Sequence, residues 1–296
     1  MNKLIVIREK GVYPQSKIEN VFDRYGLVIL KEYFPPEMRT ELRAAVQQRL
    51  KHAKQRNAVL KLDSYPNVDY LLGDILSVRE LDHVDYLFFK RELIEALKGV
   101  LKSSEILYWG DSSIQFGEGA RGFHKDNVNR HDHTHNDWIG DYGLVRCGFY
   151  FQDHANYSGG LKVRLGSQNI ANHLTGKMMD IDSNFGDLVF WSMRLTHSGN
   201  NRKLKFFSRV CLHPRVEMKL PKVLTKSEHL PRISAFCAFG KPGRHQEIYA
   251  ENMNKRDADY RPYFLHARKP DESKKLLQKF GVSFFQPNAY YGKNDN

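Results

Sequence analysis

The chain has 296 residues, of which 41% are hydrophobic and 27% charged, a balance typical of a globular protein with a substantial core. The first ten residues hold only the apolar run Leu4–Ile7, and no later apolar stretch could span a bilayer, so we expect neither a signal peptide nor a membrane protein but a cytoplasmic one. Three widely spaced cysteines, Cys147, Cys211 and Cys237, exclude a disulfide framework and a CxxC zinc site. We expect them to be reduced thiols in strands.

The formal net charge of +12 has three interpretations. Neutralisation of nucleic-acid phosphates is the least favoured, because the chain has no arginine-rich arm and no helix-turn-helix or RNP-like pattern. Attraction of an anionic substrate or cosubstrate and a merely solvated basic surface both stay open.

The first third of the chain predicts one strand and two helices. Tyr25–Leu30 is a run of apolar and β-branched residues and predicts a strand. Pro35 and Pro36 suit the first turn of a helix in which apolar residues recur at helical spacing, at Met38, Leu42, Val46 and Leu50. A second helical region is predicted from Val78 to Leu101.

After about Glu105 short apolar segments alternate with glycine and asparagine turns, as in an antiparallel sandwich or barrel. Helices followed by strands predict an α+β fold, mainly β, with the helices packed outside the β core. We expect one domain: residues 1–105 helical and strand, 106–215 the β core, and 216–296 a C-terminal extension wrapped on it. The predicted core strands are Ile106–Trp109, Ser113–Phe116, Val145–Phe151, Leu161–Leu165, Asp187–Trp191 and Phe206–Leu212.

A metal site is predicted from two separate segments. His124 and Asp126 stand two residues apart, so on an extended strand both side chains point to the same side. His197 follows the predicted strand that ends at Trp191, and could supply a third ligand from a neighbouring strand. Two imidazoles and one carboxylate on one face are the triad that non-heme Fe(II) oxygenases use, with positions left open for cosubstrate and O₂.

A histidine-rich stretch offers a competing triplet, His135, Asn136 and Asp137. We favour His124 as the ligand, because an apolar residue and a strand-like segment precede it. The stretch that contains His131, His133 and His135 is then a long polar loop over the mouth of the site, where such loops commonly select substrate.

Arg209 is the candidate for binding a carboxylate. In the predicted strand Phe206–Leu212 the side chains of Phe207, Arg209 and Cys211 share a face, and an arginine among apolar neighbours needs an anion. The planar guanidinium suits the distal carboxylate of 2-oxoglutarate, although an internal ion pair is the alternative. Arg202 and Arg215 are poorer candidates, since one lies in a polar turn and the other beyond the strand.

Together these segments resemble the phytanoyl-CoA dioxygenase (PhyH-like) family of Fe(II)/2-oxoglutarate oxygenases. The resemblance covers about residues 20–215 and rests on five segments: Tyr25–Phe34, Gly122–Asp126, Ser158–Ser167, Phe185–Trp191, and His197 to Arg209. The chain departs from the family in having Leu165-Gly166-Ser167-Gln168 at its Pro-Gly-Ser-His turn and one extra residue between histidine and arginine.

The resemblance implies a double-stranded β-helix (jelly-roll) core, with Fe(II) held by His124, Asp126 and His197 and with Arg209 binding the cosubstrate 2-oxoglutarate. It also implies that Gln115, and with less support Tyr150 and Ser198, line the cosubstrate pocket. Because Asp126 is present, the branch in which a halide replaces the carboxylate is not indicated. The implied reaction is hydroxylation of an unactivated C–H bond of a small, anionic or polar metabolite with O₂, with release of succinate and CO₂.

Two other functions stay open at this point. A cupin-like metal-dependent hydrolase or isomerase would share the β core but would need no 2-oxoglutarate. A non-enzymatic basic binding module would bind no iron, and its affinity for nucleic acid would fall with salt. Neither the substrate nor the oligomeric state follows from the sequence.

Overall fold

A computed structural model describes residues 2–55, 68–73, 87–118, 122–207, 210–255, 275 and 277–285. Its α-helices are α1 (Gln15–Tyr25), α2 (Arg39–Gln55), α3 (Arg91–Leu101), α4 (Pro214–Glu217) and α5 (Arg244–Lys255). The strands are β1 (Ile5–Val6), β2 (Leu27–Leu30), β3 (Val68–Gly73), β4 (Leu107–Tyr108), β5 (Ser112–Gly117), β6 (Leu144–Tyr150), β7 (Lys162–Leu165), β8 (Lys177–Asp180), β9 (Leu188–Ser192), β10 (His197–Ser198), β11 (Ile233–Gly240) and β12 (Ser283–Phe284).

The described strands form a large sheet and a small one. The large sheet has the central order β2-β9-β6-β11-β5, with β11 antiparallel to both β5 and β6. The small sheet has the order β10-β7-β8, and an isolated bridge between His124 and His197 adds one more segment beside β10. Two facing sheets in this arrangement make a double-stranded β-helix, so the predicted mainly β, α+β fold is confirmed.

Each face of the large sheet has its own set of side chains, because alternate residues of a strand point to opposite faces. Ala235, Cys237 and Phe239 of β11 belong to the outer core, which includes α3 and part of α2. Trp191 and Tyr150 lie on the inner face, in a separate cluster with Val163 of the small sheet. The inner face therefore lines the space between the sheets, where the candidate site lies.

Helix α1 was not predicted, although its end shows a clear sequence signal. Gly26 has the left-handed φ of 68°, and its backbone N–H donates to the Phe22 carbonyl at 2.7 Å. A glycine adopts this conformation at little cost, which allows the chain to leave the helix and enter β2 at once. The predicted helix after Pro35 is present as a 3₁₀ turn, Pro36–Met38, that continues into α2.

Five of the six predicted core strands are present within one or two residues, and so is the strand near Tyr25–Leu30. Of the helical region predicted from Val78 to Leu101, residues 78–86 lie outside the described part and Arg91–Leu101 is helical. The three cysteines are free, but only Cys147 and Cys237 lie in strands.

The sixth predicted strand, Phe206–Leu212, is wrong for its described residues, which form no strand and expose Phe206, Phe207 and Val210. The strand that the core needs is β11, which lies inside the segment predicted to be a C-terminal extension. The β core therefore does not end near residue 215. The error arose because both segments alternate apolar with other residues and both contain an arginine and a cysteine nearby. They differ only in long-range pairing, since β11 pairs with β5 and β6.

Candidate metal centre

The two segments predicted to hold a metal lie side by side. The backbone N–H of His124 donates to the carbonyl of His197 at 2.9 Å, and the reverse bond is also 2.9 Å. This reciprocal pair places the two residues directly opposite each other, and their ring centroids are 4.3 Å apart. The backbone N–H of Asp126 donates to Met193, so the HxD segment is fixed against the chain that precedes β10.

The three side chains converge on one point. His124 Nε2 lies 3.7 Å from Asp126 Oδ1, and His197 Nε2 lies 3.6 Å from Asp126 Oδ2. One ligand atom from each residue can be chosen so that all three lie within 4.8 Å of one another, the only such group of His, Cys, Asp and Glu in the described residues. Donors at these separations can share a single first-row metal ion.

Both imidazoles are oriented by their own strands. His124 Nδ1 lies 3.0 Å from the carbonyl oxygen of Gly122, and His197 Nδ1 lies 3.0 Å from that of Leu195. A carbonyl can only accept, so Nδ1 carries the proton and Nε2 presents its lone pair to the metal position. Burial lowers the pKa of His197 to about 4, which keeps it neutral at pH 7, as a metal ligand must be.

Asp126 is held by an arginine that the sequence analysis missed. Arg146, on the inner face of β6, donates from Nε to Asp126 Oδ2 at 3.3 Å and makes a two-pronged pair with Asp111 at 2.9 and 3.0 Å. Burial alone would raise the pKa of Asp126, but the charges of His197, Arg146 and His124 outweigh it and hold that pKa well below its usual range. No motif marks Arg146, because Asp111 lies 35 residues away in the chain.

Lys125, between two candidate ligands, points the other way and is fully buried. Its Nζ donates at 2.6 Å to the carbonyls of Ser167 and Arg194, so it fastens the HxD segment to two neighbouring turns. Desolvation, with a smaller effect from the Arg194 charge, lowers the pKa of Lys125 to about 7.

The competing triplet does not form a metal site. His135 Nδ1 accepts from the backbone N–H of Asp137, while the Asp137 carboxylate accepts from Asn127 and Asn129. His133 is exposed, and its Nε2 accepts from the backbone of Ala171. These residues organise a polar loop, as expected.

Three polar residues lie in a row on the inner face of the large sheet. Gln115 and Tyr150 were predicted from the sequence, and Ser234 was not. Ser234 of β11 is paired with Gln115 of β5 on one side and with Tyr150 of β6 on the other. The hydroxyls of Ser234 and Tyr150 and the indole N–H of Trp191 are buried without a hydrogen-bond partner among the described groups. A buried polar atom without a hydrogen bond costs folding free energy, so the polar groups of Ser234, Tyr150 and Trp191 mark a place for a polar ligand.

A continuous series of rings connects the triad to this row. Trp191 lies 5.4 Å from His197 and 6.2 Å from Phe236, and Phe236 lies 5.9 Å from Tyr150, all measured between ring centroids. The Arg232 guanidinium lies 5.8 Å from the Tyr150 ring. The row of polar atoms therefore lies between the triad and Arg232.

Arg232 immediately precedes β11 and is buried, with Nε directed at the Gly159 carbonyl and Nη1 at that of Gly117. The strand β11 takes the place of the wrongly predicted strand Phe206–Leu212, although Arg209 was expected inside that strand and Arg232 lies just before β11. Arg209 itself lies outside the described residues, so its predicted role stays a prediction.

Ser198, also predicted to contact the cosubstrate, follows His197 in β10 and so points to the opposite face. Its hydroxyl accepts from the backbone N–H of Gly122 at 3.0 Å and donates to the Gly199 carbonyl. This arrangement supports a role in joining the two ligand segments.

Comparison with solved structures places the chain in a known fold. It is similar to AviO1 from Streptomyces viridochromogenes Tue57 (TM-score 0.53, 15% identity, over 78% of this chain and 96% of AviO1). It is also similar to the non-heme alpha-ketoglutarate-dependent epimerase SnoN from nogalamycin biosynthesis (0.52, 12%, 77% and 83%). A third similar structure is EctD from S. alaskensis with 2-oxoglutarate and 5-hydroxyectoine (0.50, 14%, 74% and 73%).

No family model and no curated protein matches the chain. At such low identity the structural similarity establishes the fold. Fold and site together define a double-stranded β-helix protein with a His-Asp-His candidate metal centre.

Proposed function

We propose that the chain is a non-heme Fe(II)- and 2-oxoglutarate-dependent oxygenase of the PhyH-like type. The observation that carries this proposal is the convergence of His124, Asp126 and His197 between the sheets of a double-stranded β-helix. Two structurally similar proteins support it: SnoN has been crystallised with Fe3+ and alpha-ketoglutarate, and EctD with 2-oxoglutarate.

The donor set fits iron. Two neutral imidazoles and one carboxylate leave coordination positions open, which a bound iron ion would use to couple oxidation of 2-oxoglutarate by O₂ to oxidation of a substrate C–H bond. The protein holds the ligands, orients the cosubstrate and excludes water. Arg146 contributes by holding Asp126 ionised and fixed.

The inner face of the large sheet has polar groups that suit 2-oxoglutarate. The unsatisfied Tyr150, Ser234 and Trp191 groups offer hydrogen bonds, and Gln115 adds an amide beside Ser234. We propose that Arg232 binds the distal carboxylate, because it closes the row at the end away from the triad. A planar guanidinium is suited to this contact.

The rim of the site favours an anionic substrate. Besides burial, the positive charge of Arg130 helps to lower the pKa of His173, and the Arg164 guanidinium lies 4.6 Å from the ring of Phe123, which precedes His124. Arg130 also contributes to the low pKa of Asp126, which places its charge close to the triad. Paired trial substrates, a carboxylate and its methyl ester, should therefore differ in the succinate release that they stimulate, with the carboxylate the better.

Cosubstrate binding tests the proposal directly. Anaerobic addition of Fe(II) and then 2-oxoglutarate should produce the weak visible charge-transfer band of the chelate. Asp126→Ala and His197→Ala should abolish the band, whereas Asp23→Ala and His52→Ala, on α1 and α2, should keep it. If iron binds but 2-oxoglutarate produces no band and no succinate is formed, the chain is instead a metal-dependent hydrolase or isomerase on the same fold.

The two arginine candidates can be separated in one titration. Arg232→Ala should raise the 2-oxoglutarate concentration for half-maximal band intensity by about 100-fold, as expected for the loss of a buried charged contact worth about 3 kcal/mol. Arg209→Ala should change it less than about threefold. The reverse pattern would return the role to Arg209. Circular dichroism of both variants checks that the fold survives, since Arg232 also bonds Gly159 and Gly117.

A further inference from the structure

Between β10 and β11 the chain makes a long excursion, here named the 203–226 loop. Its base is closed by backbone pairing: Leu204 is bridged to Thr225, Lys205 N–H donates to Leu224 at 3.0 Å, and Lys226 N–H donates to Lys203 at 2.8 Å. The described residues between these points, 206–207 and 210–223, thus leave the barrel, and the chain returns at the place where it left.

The 203–226 loop is attached to the small sheet through its interior side. Lys162, fully buried on β7, donates to Glu217 at 2.5 Å and to the Leu212 carbonyl at 2.6 Å. Arg202 adds hydrogen bonds to the carbonyls of Glu217 and Leu220. These contacts determine which side of the loop faces outward. The negative charge of Glu217 is paired with the positive charge of Lys162.

The outward side of the loop is unusually apolar. Phe206 is 83% exposed and Phe207 65%, values expected for polar side chains. Of the eleven large hydrophobic side chains that are exposed in the described residues, seven belong to this loop: Phe206, Phe207, Val210, Val216, Met218, Val223 and Leu224. Such a concentration indicates a surface that contacts something other than water.

The charge of the same surface is uniformly positive. From Arg202 to Lys226 the sequence has eight lysines and arginines and a single acidic residue, the buried Glu217. Lys205, Arg215, Lys219 and Lys222 are exposed among the apolar side chains. Apolar groups interspersed with cations and lacking anions are the composition of peripheral lipid-binding surfaces.

We propose that the 203–226 loop docks on an anionic phospholipid surface, inserting Phe206 and Phe207 into the headgroup region. A second copy of this chain would bring two positive surfaces together, and their repulsion disfavours self-association. Lysine is depleted at protein–protein interfaces, yet three of the four exposed cations are lysines. Polyanions such as nucleic acids would use the charges but would leave the apolar side chains without a role.

The loop also contacts the candidate active site. His213 packs against Phe123, the neighbour of His124, with 5.3 Å between ring centroids. Docking would thus bring lipid to the part of the surface next to the HxD segment. The proposal does not depend on the oxygenase assignment, because it rests on the loop alone.

Flotation with vesicles tests the proposal. The full chain should float with vesicles of phosphatidylcholine mixed with phosphatidylglycerol and not with phosphatidylcholine alone. Phe206→Ser/Phe207→Ser should lower the partition coefficient about tenfold or more, and Lys219→Gln/Lys222→Gln should lower it and weaken its dependence on salt. Ile7→Ser/Val12→Ser removes two exposed apolar side chains elsewhere and is the matched control, which should float as before.

Three results would overturn the proposal. One is no flotation with the anionic vesicles, or flotation that the phenylalanine variant does not reduce. Another is a dimer in light scattering that dissociates in the phenylalanine variant, which would make the surface a self-association interface. The third is binding to heparin as strong as to vesicles and independent of Phe206 and Phe207, which would indicate attraction by charge alone.

A second variant guards against effects on folding. Phe206→Trp keeps an aromatic side chain at an exposed position, and its emission should shift to shorter wavelength on addition of anionic vesicles, after subtraction of the signal of the unsubstituted chain. Brominated lipids should quench it. An unchanged spectrum would show that the loop stays in water and would contradict insertion.

Discussion

Two histidines and one aspartate of the candidate centre are positioned by different means. The imidazoles are oriented by backbone carbonyls on their own strands, whereas the carboxylate depends on Arg146, a side chain from the opposite sheet. Arg146 also pairs with Asp111, and its Nη2 donates to the Tyr249 hydroxyl oxygen at 3.3 Å. The guanidinium is therefore shared by two carboxylates that are mostly removed from water.

Replacing Arg146 by Met should leave Asp111 and Asp126 facing each other without a shared cation. We expect a loss of about 3–5 kcal/mol in the free energy of unfolding, the usual result of breaking a buried ion pair. Fe(II) affinity should fall about 10- to 100-fold, as for other residues that orient a metal ligand. Urea unfolding and a competitive metal titration measure the two effects.

Tyr249→Phe is the matched control, because it removes one hydroxyl from the same network and no charge. Its cost should be about 1 kcal/mol, with little change in Fe(II) affinity. Equal effects of the two variants on metal affinity would contradict a special role for the Arg146–Asp126 contact.

Among the residues of the site, the sequence identifies those that are marked by their spacing along the chain. His124 and Asp126 follow from the two-residue period of a strand, and the structure brings His197 to them. Arg146 and Ser234 have no local signal, since their partners come from distant strands and only the sheet order brings them together. Arg232 does have one, because it stands directly before an alternating apolar strand, but Arg209, inside the alternating segment Phe206–Leu212, offers a competing signal.

Strand β6 has a glycine where the inner face is most crowded. A Cβ at Gly148 would lie 2.9 Å from Trp191 Cζ3 and 3.2 Å from Phe236 Cε1. Both are rigid rings, and Trp191 also packs on His197. The missing side chain lets the two rings approach the strand between the triad and the polar row.

Gly148→Ala should therefore destabilise the chain by about 1–3 kcal/mol, the usual cost of overpacking, and should weaken Fe(II) binding by displacing Trp191 against His197. Thermal unfolding and the metal titration test both effects. Gly143→Ala is the control, because its Cβ would meet only the flexible side chain of Lys241. A Gly148→Ala protein that matches Gly143→Ala in both measurements would show that the rings can move aside freely.

The elements that the sequence failed to identify share a physical cause. β11 has the strongest pairing of any strand, with seven register partners on β6 and five on β5, yet its residues read like those of Phe206–Leu212. Alternation shows that a segment can be a strand, but the choice between two candidates depends on which one satisfies the edges of β5 and β6. That choice is a tertiary effect.

For the whole molecule, buried histidines make stability sensitive to acid. Burial is the main cause that lowers the pKa of His154 to about 3, and it lowers those of His173, His197 and His245 to about 4. Between these values and the ordinary pKa near 6.5, the unfolded chain binds more protons than the folded one. Stability should therefore be fully present above about pH 6.5 and should fall as the pH falls.

For His154 alone the expected loss between pH 6.5 and 5 is about 2 kcal/mol. Urea unfolding of the metal-free chain across this range should show a midpoint that declines with acid, and His154→Gln should flatten the decline. His52→Gln, on α2, should keep the slope of the unsubstituted chain. A midpoint that does not depend on pH in this range would mean that His154 is not buried.

The structure shows where basic residues that contribute to the net charge of +12 lie. Part of it lies near the triad, at Arg130 and Arg164, and part lies on the 203–226 loop. No described helix is both long enough and apolar enough to cross a membrane.

The hydrogen bonds from the two imidazoles to carbonyls two residues earlier have an evolutionary consequence. A backbone oxygen survives every substitution of its own residue, so drift at position 195 can change the side chain without removing the acceptor that orients His197. Position 122 is less free, because Gly122 has a φ of 127° that favours glycine. The third ligand, Asp126, is oriented by the side chain of Arg146, and a substitution can remove that side chain. Natural or laboratory variation that retunes this centre should accumulate around the carboxylate, at residues 111, 146 and 249.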